Sequence, residues 1–248
     1  MPIIEIACFS LESSGIQAQS KPFLADAPHD QPTATLRFHL SHAIRALSKA
    51  SKHPFYLLQD LQDSLIIYYM GKWPSIDAYS HFNGSPDHKE LLDALESCKA
   101  VMRWRGFYDV VQYHNWESSA LSALLHKDKG PMGAKVVGLT RHNVSNVDEF
   151  EKKLSHGMPY LEKYSGHKGA AGRKIETGFD FDESLAPIPE ETKEQAPPQR
   201  DETILLSGWQ SRDQYDDFRD TKDYQEFARI REVTTWFERV SQLPAVYF

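Results

Sequence analysis

Apolar residues recur along this chain in two rhythms, a helical period near 3.6 and short unbroken runs, and the two alternate. Leu36, Leu40, Ala43, Ile44 and Leu47 fall at i, i+4, i+7, i+8 and i+11, so they share one face of a helix over 35–50. Apolar runs at 2–9, 55–61 and 65–71 predict strands, the last two split by the turn residues Gln62, Asp63 and Ser64. The Ser-, Gln- and Pro-rich stretch 11–32 reads as a loop. Ser75 is placed to cap the next helix, and Asn83-Gly84 breaks it. A second helix starts at Ser85-Pro86 and runs to about Trp104, and a strand over 106–113 closes the set. The order is β-α-β-β-α-β, a ferredoxin-like arrangement.

The same order then returns. A strand at 135–141 precedes a helix at 146–164, a glycine-rich strand near 170–176 and a strand at 203–208. A mostly helical stretch over 211–239 and a final strand at 243–248 complete it. Individual residues return as well. Trp73, Ser75, Asp77, Tyr79, Phe82, Asp87 and Glu90 reappear without a gap as Trp209, Ser211, Asp213, Tyr215, Phe218, Asp223 and Glu226, an offset of 136 (209 − 73). Leu36, Leu40, Ile44 and Leu47 reappear as Phe150, Leu154, Met158 and Leu161, an offset of 114 (161 − 47). Self-similarity at fixed spacing marks a repeated module. The units span 1–114 and 134–248, with a linker at 115–133 that carries the turn-rich KDKGPMG. The offsets differ by 22 (136 − 114), which places an insertion in the second unit at 178–201. It is acidic and proline-rich, so it predicts a mobile loop at a hairpin tip, with a lid over a pocket as the alternative.

The runs LIIYYMG, KVVGLT and YDVVQY are apolar at successive positions, as in strands covered on both faces. Helices cover one face of each sheet, and the other unit's sheet is expected to cover the other. The predicted class is α+β: two tandem ferredoxin-like (βαββαβ) units whose antiparallel sheets pack as an intramolecular α+β barrel. Trp73, Ser75, Tyr79, Ser85, Pro86, His88 and Lys89 follow a pattern that resembles the dimeric α+β barrel superfamily, and within it the antibiotic biosynthesis monooxygenase-like domains. The second copy keeps Trp209, Ser211 and Tyr215 but has Thr221, Lys222, Tyr224 and Gln225 further on. The resemblance spans nearly the whole chain as a tandem version. The shared residues read as structural: Trp and Tyr seal the helix–sheet junction, and Ser caps the helix. The resemblance implies cofactor-free oxygenation, cyclisation, dehydration, decarboxylation or isomerisation of natural-product metabolites.

Composition narrows the partners. A net charge of −7 and a pI near 5.9 argue against a nucleic-acid footprint. No apolar stretch approaches the ~20 residues of a membrane span, and no secretory signal opens the chain. Cys8 and Cys98 are expected as buried free thiols in a reducing, cytoplasmic setting. A tandem chain of this kind works as a monomer or a homodimer.

Eleven histidines offer acid–base groups near neutral pH. His39, at the edge of the apolar face of its helix, is the candidate base, with Tyr68 or Tyr69 binding the substrate oxygen. His88 joins the catalytic set, and His81 lies across the Asn83-Gly84 break from it. His53 and His167 hold matching positions and read as structural, while His114 and His142 end predicted strands. Tyr56, Tyr69, Trp73, His81, Trp104 and Tyr108 are candidate binding residues for a small apolar or aromatic metabolite. The tyrosines favour the first unit as the half that holds a ligand. No HExxH, CxxC, Walker or dinucleotide glycine pattern is present, so neither metal nor cofactor is expected. Two other readings stand beside the enzyme: a haem-binding barrel, which the resemblance also implies, and a catalytically silent ligand-binding or stress-response module.

Overall fold

The computed structural model describes residues 2–11, 31–110, 134, 136–167, 169–182 and 201–246. In chain order the elements are β1 (Ile3–Leu11), α1 (Gln31–Ser51), β2 (Phe55–Gln59), β3 (Ile66–Trp73), α2 (Ile76–Asn83), α3 (Pro86–Ser97) and β4 (Ala100–Val110). There follow β5 (Val136–Val144), α4 (Val147–Ser165), β6 (Ala170–Ile175), β7 (Phe181–Asp182), β8 (Asp201–Trp209), α5 (Arg212–Arg219) and α6 (Lys222–Phe227). A 3-10 turn, Ala228–Val233, leads into β9 (Thr234–Val246). The predicted linker and the predicted strand end at 111–113 lie outside the described residues.

The first unit is an antiparallel sheet in the order β2-β3-β1-β4, with β1 central. Ile3 sits opposite both Trp73 of β3 and Asp109 of β4. The α1 stripe forms as the spacing predicts: Leu36, Leu40, Ala43, Ile44 and Leu47 are all buried. They pack on Ile3, Ala7, Phe9, Ile67, Tyr69 and Phe107, which alternate along their strands and so share one face of the sheet. Truncating the fully buried Leu40 to Ala would cost about 2–5 kcal/mol. Both outer edges of this sheet are occupied. The end of β9 pairs with β2 through Leu57↔Val246, and β7 pairs with β4 through Arg105↔Phe181.

The second unit repeats the plan as β9-β5-β8-β6. Val136 faces Trp209 across β5 and β8, as Ile3 faces Trp73. Phe150, Leu154, Met158 and Leu161 of α4 are buried, matching the α1 stripe. A Cβ at Gly157 would lie 3.2 Å from the Phe227 Cα, so glycine lets the end of α6 approach α4. Both long helices end in a left-handed residue at the same repeat position. In α4 it is Gly166, φ 73°; in α1 it is Lys52, φ 59°.

Two boundary expectations are corrected, and the described start of the insertion shows ordered contacts. The helix expected to reach Trp104 stops at Ser97, capped by Cys98, and Lys99 at φ 50° turns the chain into β4. Trp104 is therefore a strand residue. The helical stretch expected to reach Arg239 gives way to β9 at Thr234, where Thr-Thr-Trp-Phe favours extended backbone. The start of the insertion is built rather than loose. Asp180 Oδ2 accepts from Thr177 N at 3.0 Å and Thr177 Oγ1 at 3.1 Å, and the Phe179 ring packs on Tyr79 at 5.2 Å. The rest of the insertion, 183–200, lies outside the described residues.

The chain divides into two compact units. The first runs to Asp109 and includes Ile175–Asp182 and the end of β9 from Pro244; the second holds the described residues between Ala134 and Lys174 and between Asp201 and Leu243. The units thus follow the repeat in plan, except that two short stretches of the second half of the chain belong to the first unit.

Candidate functional site

The repeated motif builds the same junction twice. Ser75 Oγ accepts from Ala78 N at 3.2 Å and Ser211 Oγ from Gln214 N at 3.1 Å, so each serine caps its helix. Ser85 and Thr221 cap the next helices in the same way. Trp73 meets Tyr79 edge-on at 5.2 Å, and Trp209 meets Tyr215 at 5.0 Å. His53 and His167 also repeat, each donating its backbone N–H at 3.1 Å to a serine hydroxyl, Ser51 or Ser165.

Strand alternation separates the candidates of the first unit. Tyr69 and Trp73 lie on the helix side of the sheet, within the core that α1 covers. Tyr68 is one residue away on β3 and projects to the opposite face, as Tyr56, Trp104 and Tyr108 do on their strands. All four are buried, and Tyr68 meets Trp104 edge-on at 6.2 Å. Tyr56 also borders an open groove of about 940 Å³ between α1 and β2, with Arg45, Lys49, Lys52 and His53 on its rim. His39 is half-exposed on α1 beside Phe38, on the helix side, so the sheet stands between it and Tyr68. His81 is exposed. His88 is half-buried with its ring against Phe82 at 5.2 Å. Burial, and then the charge of Arg105, hold the His88 imidazole below its ordinary pKa. The structure therefore joins His88 to the Trp73 junction and keeps His39 and Tyr68 apart.

The helix–sheet junction of the second unit holds a cavity of about 30 Å³, room for about two waters. Its floor is polar. Gly138, Thr140 and His142 project from β5 towards the helices, and Ser207 from β8 sits opposite Gly138. Trp209 Nε1 donates to Ser207 Oγ at 2.9 Å, and Thr140 Oγ1 lies 2.9 Å from His142 Nε2. Its walls are aromatic: Trp209, Tyr215, Phe218, Tyr224 and Phe227, with Arg231 over the Tyr224 ring at 5.6 Å. His142 is fully buried, and burial, aided by the charge of Arg231, pushes its pKa down to about 3. It is a neutral imidazole at neutral pH.

The first unit fills the corresponding space. Register equates Glu5 with Gly138, Ala7 with Thr140, Phe9 with His142 and Gly71 with Ser207. Glu5 is 6% exposed, accepts from Trp73 Nε1 at 2.8 Å, and is pushed by burial up to about 7. The Phe55 ring covers Gly71, where any Cβ would collide with it. Sequence reasoning missed Glu5, a charged residue in an apolar strand, and passed over the second copy of the motif. The signal was present: Trp209, Tyr215, Phe218 and Tyr224 are the repeats of Trp73, Tyr79, Phe82 and His88.

At about 30 Å³ the cavity is far below the roughly 300–1,000 Å³ of a drug-sized ligand site, so any ring-sized ligand requires it to open. Among the described residues no group of three or more His, Cys, Asp or Glu is placed to hold a metal, and no helix is long and apolar enough to cross a membrane. Cys8 and Cys98 are buried free thiols, as expected.

The sequence matches no known family profile and no curated protein. Solved structures share its fold. An anthrone oxidase-like protein superposes with a TM-score of 0.58 at 11% identity, over 100% of this chain and 92% of its own. A protein provisionally named a monooxygenase, from Fusobacterium nucleatum subsp. nucleatum, gives 0.58 at 10% identity over 99% and 93%. A protein provisionally named a chlorite dismutase gives 0.53 at 6% identity over 100% and 95%. The chain therefore shares its α+β fold with these structures.

Proposed function

We propose that this protein is an oxygenase-like enzyme that acts on a small aromatic metabolite without a bound cofactor. Its working site is the helix–sheet pocket of the second unit. The observation that carries the reading is the pairing of a polar floor with an aromatic wall, the usual build of a small-molecule site. Thr140 holds the His142 ring through Nε2, and burial keeps that ring neutral, the form able to take a proton. An anionic carbon or oxygen developing beside it raises its proton affinity. An activated methylene flanked by aromatic rings, as in anthrone, suits this site. It loses two hydrogens and gains one oxygen atom from O₂, and the second oxygen leaves as water.

The closed cavity is smaller than a ring, so binding requires α6 and the 3-10 turn to swing outward, taking Tyr224 and Arg231 with them. The setting that fits is secondary metabolism in the cytoplasm, with the protein as a monomer or a homodimer. The test is oxygen uptake by purified protein with anthrone, against H142F. Uptake by the native protein that falls at least tenfold in a folded H142F supports the reading. Loss in H39A with full activity in H142F would move the chemistry to the first-unit set of His39 with Tyr68 or Tyr69.

A further inference from the structure

The duplication places a carboxyl group and a cavity at the same point of two copies of one junction. In the first unit the Glu5 carboxylate fills the space beneath the indole, accepting from Trp73 Nε1 at 2.8 Å. The Arg105 guanidinium is near enough to act on it electrostatically. In the second unit the side chain is gone: Gly138 stands where Glu5 stands, opposite Ser207 in place of Gly71. The indole remains, and Arg231, which comes from the 3-10 turn and is not the repeat of Arg105, borders the cavity. A Cβ at Gly138 would fall 2.7 Å from Ser207 Oγ, too close for a carbon, and 3.4 Å from Trp209 Nε1, so glycine leaves the backbone bare beside both groups.

The hydroxyl between them is primed to donate. Ser207 Oγ accepts from Trp209 Nε1 at 2.9 Å, which leaves its own proton to give. Its contact with Gly138 O is 3.5 Å, at the long limit for a hydrogen bond. An ionised oxygen placed over Gly138 would receive a shorter, charge-assisted bond.

We infer that the pocket of the second unit binds a carboxylate-bearing small aromatic molecule, its carboxyl group over Gly138 against Ser207 Oγ and the Trp209 indole, with Arg231 supplying the countercharge. Ser207 Oγ takes the indole N–H that Glu5 takes in the first unit, and the ligand carboxylate accepts in turn from the Ser207 hydroxyl. This deepens the proposed function by naming the substrate class, and it rests on that pocket being the working site.

Benzoate is the probe, titrated calorimetrically into the full-length protein, with benzamide as the uncharged comparator of the same shape. Benzoate is expected to bind at least tenfold more tightly than benzamide. G138E supplies the missing carboxyl from the chain itself and should weaken benzoate at least tenfold. Should G138E fail to fold, S207A carries the test: it should weaken benzoate several-fold and leave benzamide unchanged. Equal binding of benzoate and benzamide, or a folded G138E that binds benzoate like the native protein, overturns the inference. Its fate is separable from that of the oxygenase reading. Selective benzoate binding without oxygen uptake on anthrone keeps the carboxylate site and removes the anthrone-type oxygenation. Oxygen uptake lost in H142F without selective benzoate binding does the reverse.

Discussion

Trp73 gives its indole proton to Glu5 across 2.8 Å in the buried junction of the first unit. The bond lies on the helix side of the sheet, where burial raises the carboxyl from its ordinary value near 4.5 to about 7. A raised carboxyl pKa means that the folded state holds the proton more tightly than the unfolded one. The associated stability is present in full below pH 4.5 and is lost as the pH rises to about 7. The loss is at most about 3 kcal/mol. E5Q keeps an acceptor for Trp73 and cannot ionise. Urea midpoints should fall between pH 5 and pH 8 for the native protein and stay flatter for E5Q. Parallel pH profiles would show that Glu5 does not titrate in this window.

His142 has the opposite slope. Its pKa is pushed down from 6.5 to about 3, so the unfolded chain binds the extra proton and acid destabilises. Stability should fall as the pH drops from 6.5 towards 3, by at most about 5 kcal/mol. Phe9 is the counterpart of His142 in the first unit, so phenylalanine is already tolerated at this place in the fold. H142F should fold and show a reduced loss between pH 6.5 and pH 4, measured by urea denaturation at each pH.

The Tyr69 hydroxyl is buried with no hydrogen-bond partner among the described residues. Such a group costs about 1–3 kcal/mol relative to a satisfied one. Y69F should therefore leave stability unchanged or raise it by about 1 kcal/mol. Activity that falls in Y69F without loss of stability would assign Tyr69 the substrate-binding role expected of it from the sequence.

Lys52 sits at φ 59° where the repeat uses Gly166 at φ 73°. A non-glycine residue in this region carries a strain of roughly 1 kcal/mol. K52G should raise the melting temperature by a few degrees, with oxygen uptake unchanged, because the site of the second unit is untouched. A lower melting temperature would mean that the aliphatic stem of Lys52 contributes more than its strain costs.

Much of the fold was legible because the repeat supplies its own check. Leu40 and Leu154 could be paired from spacing alone, and both are fully buried. Boundaries failed where the predicted helix was carried into a stretch of strand propensity, as at Thr234, and where one left-handed residue, Lys99, follows the early end of a helix. The site was half legible. The motif's capping serines and Trp–Tyr contacts were legible, but alternation places Tyr68 and Tyr69, which the sequence groups together, on opposite faces of the sheet. The cavity depends on a subtraction, Gly138 for Glu5, and an absent side chain leaves no chemical signature in a sequence.

The occupied edges of the first sheet bear on how the chain is made. β2 and β4 are synthesised before their outer neighbours, the end of β9 and Phe181–Asp182. A nascent first unit emerges from the ribosome with two bare backbone edges, the kind of surface that invites pairing with other chains. The first unit's sheet therefore closes its edges only with segments encoded far downstream of its own strands, and a fragment ending before β7 would carry both edges bare.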